Sequence, residues 1–197
     1  MYYYLLAIFC ISKLLSIDIS LFNNTTNWIE LQNNEIKISY KEKNNFKYCK
    51  ASTIYNSNSE EIKNILNDKS NYHNIFKRME FCRSLTNEIV HIRLDLPFPF
   101  YGRDYIVEYE YFKMNDFEYY IYNSTSKVNI ELNKKYVRLP NASGLWVIEP
   151  ISNKSTKLTF IWNGELLGNF PDWALTRAWS TQGNEVLGWI QEALNKK

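Results

Sequence analysis

The sequence predicts an α+β fold in which a curved antiparallel sheet of about nine strands wraps around one long C-terminal helix. Three observations lead there. Runs of period-2 alternation recur between residues 28 and 163, each bounded by Asn, Asp, Gly or Pro. The period changes to that of a helix over residues 171–194, where Leu175, Trp179, Gln182, Val186, Trp189, Ile190 and Ala193 form a stripe. Within the first region only two short helical segments are read, after the third strand. One face of each strand and one stripe of the helix therefore need mutual cover.

Taken in order, Trp28 to Gln32 alternates, Asn33-Asn34 supplies turn residues, and Ile36, Ile38 and Tyr40 continue at period 2, which makes a hairpin. Residues 46–55 give a third strand, with Cys49, Ala51 and Thr53 opposite Tyr48 and Ile54. Ser59 as a cap, acids at Glu60 and Glu61, and Ile62, Ile65 and Leu66 at i, i+3, i+4 spacing predict a short helix ended by Asp68. A second short turn surrounds Tyr72 to Phe76. Strands follow over 77–85 and 88–96, then 104–114 and 117–126 turning at Asn115-Asp116, then 137–150, bulged near Gly144, and 156–163. Pro171 opens the final helix, which at about 24 residues would span roughly 36 Å. Gly183 and Gly188 are expected soft points within it.

The stretch 94–112 joins two strands through an aromatic loop. Pro97 and Pro99 lack the N–H that a central ladder needs, and the strand restarts at Arg103-Asp104. Beyond it Val107, Tyr109 and Tyr111 lie on one face and Glu108 and Glu110 on the other, so one side is aromatic and the other solvated. An apolar loop beside an aromatic sheet face suits entry of something hydrophobic; a filled core is the alternative.

With 197 residues, 45% of them hydrophobic, and a formal charge of +2, the chain has room for one substantial core and no basic footprint for nucleic acid. Residues 1–17 form an apolar run interrupted by Lys13. A signal peptide fits best, with a helix packed on the domain and a retained anchor as alternatives. That reading places the protein outside the cytoplasm, periplasmic or secreted, with 18–27 as a polar linker and 28–197 as the folded domain. Cys49 and Cys82 then remain. A pair is compatible with an oxidising compartment, although two small buried hydrophobes are the commoner case.

The order of elements and several motifs together resemble the START domain, the steroidogenic-regulator-related lipid-transfer domain of the helix-grip superfamily, in its exported bacterial form. The most specific piece is Arg93-Leu94-Asp95-Leu96-Pro97-Phe98-Pro99 followed by Arg103-Asp104-Tyr105. Val137-Arg138-Leu139, Gly144 to Pro150 and Phe170-Pro171-Asp172-Trp173-Ala174 support it. The stretch Asn163 to Asn169 departs from the family's glycine-rich turn before the last helix. The resemblance implies a tunnel between sheet and helix that binds a lipid or other apolar molecule, with transient membrane contact and no cofactor. The expected wall is Val107, Tyr109 and Tyr111 from one strand, Tyr119 and Ile121 from its neighbour, and Leu175, Trp179, Gln182 and Val186 from the helix. The expected gate is Pro97, Phe98, Pro99, Phe100 and Tyr101, anchored by Arg103 and Asp104.

Catalytic and metal-binding patterns are missing from the sequence: His73 and His91 are the two histidines, and no His-Glu-x-x-His, Cys-x-x-Cys or Gly-x-Ser-x-Gly occurs. His91 is expected to be a satisfied structural histidine. Non-catalytic lipid binding is therefore the leading expectation. A helix-grip cyclase, dehydratase or hydrolase, and a protein-interaction module with a filled cavity, stand as alternatives.

Overall fold

The computed structural model describes Ile17, residues 19–167 and residues 170–196, without the side chain of Asp172. Its strands are β1 (Ile29–Asn33), β2 (Lys37–Lys43), β3 (Phe46–Tyr55), β4 (Met79–Ser84), β5 (Ile89–Leu94), β6 (Gly102–Met114), β7 (Phe117–Ser124), β8 (Tyr136–Arg138), β9 (Ser143–Ser152) and β10 (Ser155–Asn163). They form one curved sheet in the order β1-β2-β3-β10-β9-β7-β6-β5-β4, and β8 pairs in parallel with the start of β6. The helices are α1 (Ser20–Asn23), α2 (Ser59–Asn67), α3 (Tyr72–Ile75) and α4 (Leu175–Asn195), with 3-10 turns at Lys69–Asn71 and Asp172–Ala174. This is the expected helix-grip architecture, with ten strands where about nine were read.

The tenth strand comes from the stretch 137–150, which is two strands rather than one bulged one. Pro140 lies between β8 and β9, where its missing N–H and its steric demand on Leu139 end the first ladder. The cap of α2 is Asn58, one residue before the expected Ser59: its side chain accepts from the Glu61 N–H at 2.9 Å, and Glu61 reaches back to the Asn58 N–H. Positive φ falls on Asn44, Asn45 and Asn115, in the β2–β3 and β6–β7 turns, and not on Asn33-Asn34.

α4 lies across the concave face. Its stripe of Leu175, Trp179, Leu187 and Ile190 is buried in the main core, each side chain contributing roughly 1.5–3 kcal/mol of gross apolar burial. The helix runs unbroken through Gly183, whose expected softness is replaced by close packing: a Cβ there would come within 3.0 Å of Ile38 and 3.1 Å of Ala51. Polar ties fix its height. The Tyr55 hydroxyl donates to the Leu187 carbonyl at 2.7 Å, and the Gln32 and Asn184 amides donate to each other at 2.9 Å. Cys49 and Cys82 are both free thiols.

The convex face carries a second core of Tyr48, Tyr119, Ile121, Leu145, Val147 and Ile161. Ile17 and Leu21 cover it, and the Ile17 N–H donates to Asn123 Oδ1 at 2.9 Å. The stretch 18–27 is therefore no spacer in this fold: it contains α1 and buries Leu21, and the ordered structure reaches back at least to Ile17 rather than beginning at Trp28. The signal-peptide reading of 1–17 otherwise falls on residues outside the described ones.

Also on the convex face, Asp104 is fully buried and joins three elements. It accepts from His91 Nε2 at 2.6 Å and Arg93 Nε at 3.2 Å in β5, and from Arg138 Nε in β8. Burial raises the Asp104 pKa, but the His91 hydrogen bond and the neighbouring charges outweigh it and hold the carboxyl below its ordinary value of 3.8.

Two expected outcomes follow for stability. Leu21→Ala lowers it by about 2–4 kcal/mol in urea denaturation, the cost of a cavity under α1; an unchanged midpoint would mean that the segment is a spacer after all. A depressed carboxylate pKa contributes stability that is complete above the unfolded value and is lost as pH falls below it. The denaturation midpoint should thus drop below about pH 4, and Asp104→Asn should flatten that drop while costing about 3 kcal/mol or more at pH 7.

Candidate functional site

Between the concave face and α4 lies a cavity of about 330 Å³. Its floor is a cross-strand row: Trp162 of β10 pairs with Gly144 of β9, Gly144 with Tyr122 of β7, and Tyr122 with Tyr109 of β6. A Cβ on Gly144 would fall 2.2 Å from Tyr122 Cζ, so only glycine lets that phenol lie flat across β9. Beside the row, Trp146, Phe160 and Trp162 stack in sequence, with centroids 3.9 and 4.8 Å apart. Tyr72 and Phe76 close one side, and their rings meet edge to face at 5.0 Å.

The roof is a stripe of α4 next to the buried one: Ala178, Thr181, Gln182, Glu185, Val186 and Trp189. At one side of the cavity Arg78, just before β4, forms a two-pronged ion pair with Glu185 at 2.5 and 2.6 Å, and Lys77 meets Glu192 at 2.8 Å. These pairs tie the helix to the sheet edge across the cavity wall.

The mouth has two lips. One is the loop 95–101 and the other the loop leading from β10 to α4. Phe100 of the first meets Phe170 of the second at 4.6 Å. Arg103 clasps both: its guanidinium donates to the Tyr101 carbonyl in one lip, and to the Leu166 carbonyl and the Leu167 carbonyl, the last at 3.0 Å, in the other. Leu167 sits at φ 51°, a conformation unfavourable for leucine, next to this clasp. Burial lowers the Arg103 pKa from its ordinary value.

The structure brings some of the predicted residues to the cavity and places others elsewhere. Tyr109, Gln182 and Val186 line the cavity, as do Pro97, Phe100 and Arg103 of the predicted gate. Tyr119 and Ile121 do not: they belong to the convex core, and their neighbours Tyr120 and Tyr122 face inward. The reason is the turn. Two residues separate Met114 from Phe117, so odd positions on β6 pair with even positions on β7.

Val107 points to the concave side but is fully buried beneath Tyr105 and Tyr109, which are long enough to reach the lumen where a valine is not. Tyr111 lies past the cavity, half exposed, donating to Glu118 at 2.7 Å. Leu175 and Trp179 pack into the core, where Trp179 faces Tyr40 at 5.3 Å and donates to the Gly164 carbonyl at 2.8 Å. Phe98 and Tyr101 stand out from the lip, 97% and 61% exposed, and Pro99 follows a cis peptide bond between them. Asp104 anchors from the far side of the sheet, and His91, its partner, also faces away from the cavity.

Trp162, Tyr122, Trp146 and Phe160 were missed. The two-residue turn at Asn115-Asp116 would have revealed Tyr122, and the alternation of Leu158, Phe160 and Trp162 would have revealed the β10 floor.

Comparison with known proteins gives the same picture. No curated protein matches the chain in sequence. Among solved structures it is similar to the STAR-related lipid transfer protein of Xanthomonas axonopodis, at 16% identity and TM-score 0.73, over 85% of this chain and 98% of that one. It is similar to human StAR-related lipid transfer protein 5 at 14% identity and TM-score 0.77, over 90% and 91%. It is also similar to the Zhui aromatase/cyclase from Streptomyces sp. R1128, at 14% identity and TM-score 0.54, over 76% and 94%. At such identities the likeness speaks for the fold. The profile of the START domain matches residues 23–190, nearly the whole chain, and the protein belongs to the START domain family.

Proposed function

We propose that the protein binds, and carries without chemical change, a lipid or other apolar molecule in the cavity under α4. The observation that supports this most is the cavity itself, enclosed between an aromatic floor and a helix and closed by a clasp of hydrogen bonds. Sequestering about ten methylenes at ~0.8 kcal/mol each gives a gross ~8 kcal/mol, reduced by ordering costs. The volume favours one chain over two: ten water-sized groups at about 30 Å³ fill about 300 Å³, whereas two sixteen-carbon chains would need about 1,000 Å³. Two of the similar solved structures are lipid transfer proteins by name, in line with this reading.

Exchange takes place at a membrane surface in this proposal. Phe98 is 97% and Trp173 83% exposed, one on each side of the mouth, and both are large apolar side chains turned to solvent. Among the described residues no helix is long and apolar enough to cross a membrane. Together with the apolar N-terminal run, we assign the protein to the cell envelope or exterior. An enzyme acting on a hydrophobic substrate is the second reading, favoured by the likeness to an aromatase/cyclase.

Native mass spectrometry of protein isolated from its natural compartment, with lipid extraction, tests the carrier reading. A co-purified apolar molecule recovered unaltered after incubation supports it; conversion to a new product supports the enzyme. No ligand, together with no uptake of fluorescent single-chain lipids, would overturn both. Val186→Trp, which places an indole in the lumen, should lower fluorescent-lipid affinity at least tenfold in titration while costing about 1–3 kcal/mol of stability. Replacing Phe98 and Trp173 together by Ser should reduce sedimentation with lipid vesicles at least tenfold, since each buried aromatic contributes roughly 1.5–3 kcal/mol.

A further inference from the structure

Part of the cavity floor carries hydrogen-bond donors that no protein group satisfies. Trp162 is only 4% exposed, lines the cavity, and its Nε1–H has no acceptor. An indole N–H can only donate. Tyr105, Tyr109 and Tyr122 also line the cavity. Burial pushes the pKa of each upward, so all three keep their protons. Among the described residues none of these three hydroxyls has a hydrogen-bond partner, whereas the neighbouring Tyr72 hydroxyl is bonded to the Leu66 carbonyl at 2.6 Å.

The fold gathers these groups. A Cβ on Gly144 would lie 2.4 Å from the Tyr122 hydroxyl, so that hydroxyl stands over β9, one strand spacing of about 4.8 Å from β10, which bears Trp162. The Tyr109 ring flanks Tyr122 on the other side at 5.2 Å. A native interior seldom leaves a donor as buried as the Trp162 N–H unpaired, because it forfeits its hydration without return. The half-buried Tyr109 and Tyr122 hydroxyls face the lumen beside it.

We propose that this floor is a subsite for an uncharged carbonyl oxygen, of a ketone or ester, at the leading end of an otherwise apolar ligand. A carbonyl offers two lone pairs and no proton, which matches donors on two adjacent sides. A carboxylate does not suit the place. Of the cations near the cavity, Lys69 Nζ stands 4.7 Å over the Tyr109 ring but does not line the lumen, Arg78 is paired with Glu185, and Arg177 is exposed. Arg103, six residues back along β6 from Tyr109 and about 20 Å away, already donates to three carbonyls. The ligand thus enters carbonyl first, with its chain toward Phe100 and Phe170. This inference rests on the apolar-ligand reading above and adds the chemistry of the ligand's polar end.

The test uses the full chain and a ten-carbon series sized to the cavity: 2-decanone, decanoate and decane, each displacing a fluorescent lipid. The native protein should prefer 2-decanone to decanoate. Tyr122→Phe, which removes one oxygen, should lower the ratio of 2-decanone to decane affinity about three- to tenfold, the loss of one neutral hydrogen bond. Its thermal midpoint should be unchanged or higher, because the lost hydroxyl had no partner. In the native protein, the Trp162 indole N–H resonance should move downfield with 2-decanone and not with decane, a readout that does not depend on the variant folding. If none of the three compounds binds, the cavity reading itself falls. If all bind and both the ratio and the indole resonance are indifferent to the carbonyl, the subsite is refuted while the carrier reading stands. Decanoate binding most tightly, and weakening in Tyr122→Phe, would overturn the uncharged acceptor.

Discussion

The Asn115-Asp116 turn joins Met114 directly to Phe117 across the β6–β7 hairpin, and its two-residue length sets which side chains share a face. Tyr109 is thereby placed beside Tyr122, and Tyr122 beside Gly144, at the centre of the concave side. One residue more in this turn would exchange the inner and outer sets of β7. Tyr119 and Ile121 would enter the lumen, and Tyr120 and Tyr122 would turn to the convex core under Leu21. The lumen and the second core therefore depend on the same register.

α4 meets two different demands with neighbouring stripes. Leu175, Trp179, Leu187 and Ile190 bind it to β2 and β3, and Gly183 permits the close approach. The next stripe, with Ala178, Thr181, Gln182 and Val186, is smaller and more polar, and it leaves space. A helix whose full apolar width met the sheet would gain burial and lose the cavity. The Arg78–Glu185 pair and the Gln32–Asn184 amide pair add polar ties between this helix and the two ends of the sheet.

Sequence pattern made the architecture legible because strands and long helices announce themselves by period. The faces of a single strand were equally readable: Cys49 and Ala51 are inward and Tyr48 outward, as alternation predicts. The relation between strands was harder. Tyr119 was assigned inward because each strand was read alone, and its parity relative to Tyr109 is carried by the turn between them. Helix lining was misjudged for another reason: the most apolar stripe marks the packed side, and a lumen takes the one beside it. Leu21 was hidden in an Asn- and Thr-rich stretch whose composition resembles a loop, and one leucine gives no periodicity. Adjacent strand residues point to opposite faces, and Arg103 and Asp104 accordingly make their hydrogen bonds in different layers.

The clasp at the mouth is built from one side chain and three main-chain carbonyls. Every residue type brings a carbonyl, so the lips can change their side chains while the tie between them persists, provided that Arg103 and the local backbone course are kept. Closure and surface chemistry are thus encoded separately in this fold. The lips could be exchanged for ones suited to a different membrane or ligand, and the lock that joins them would need no redesign.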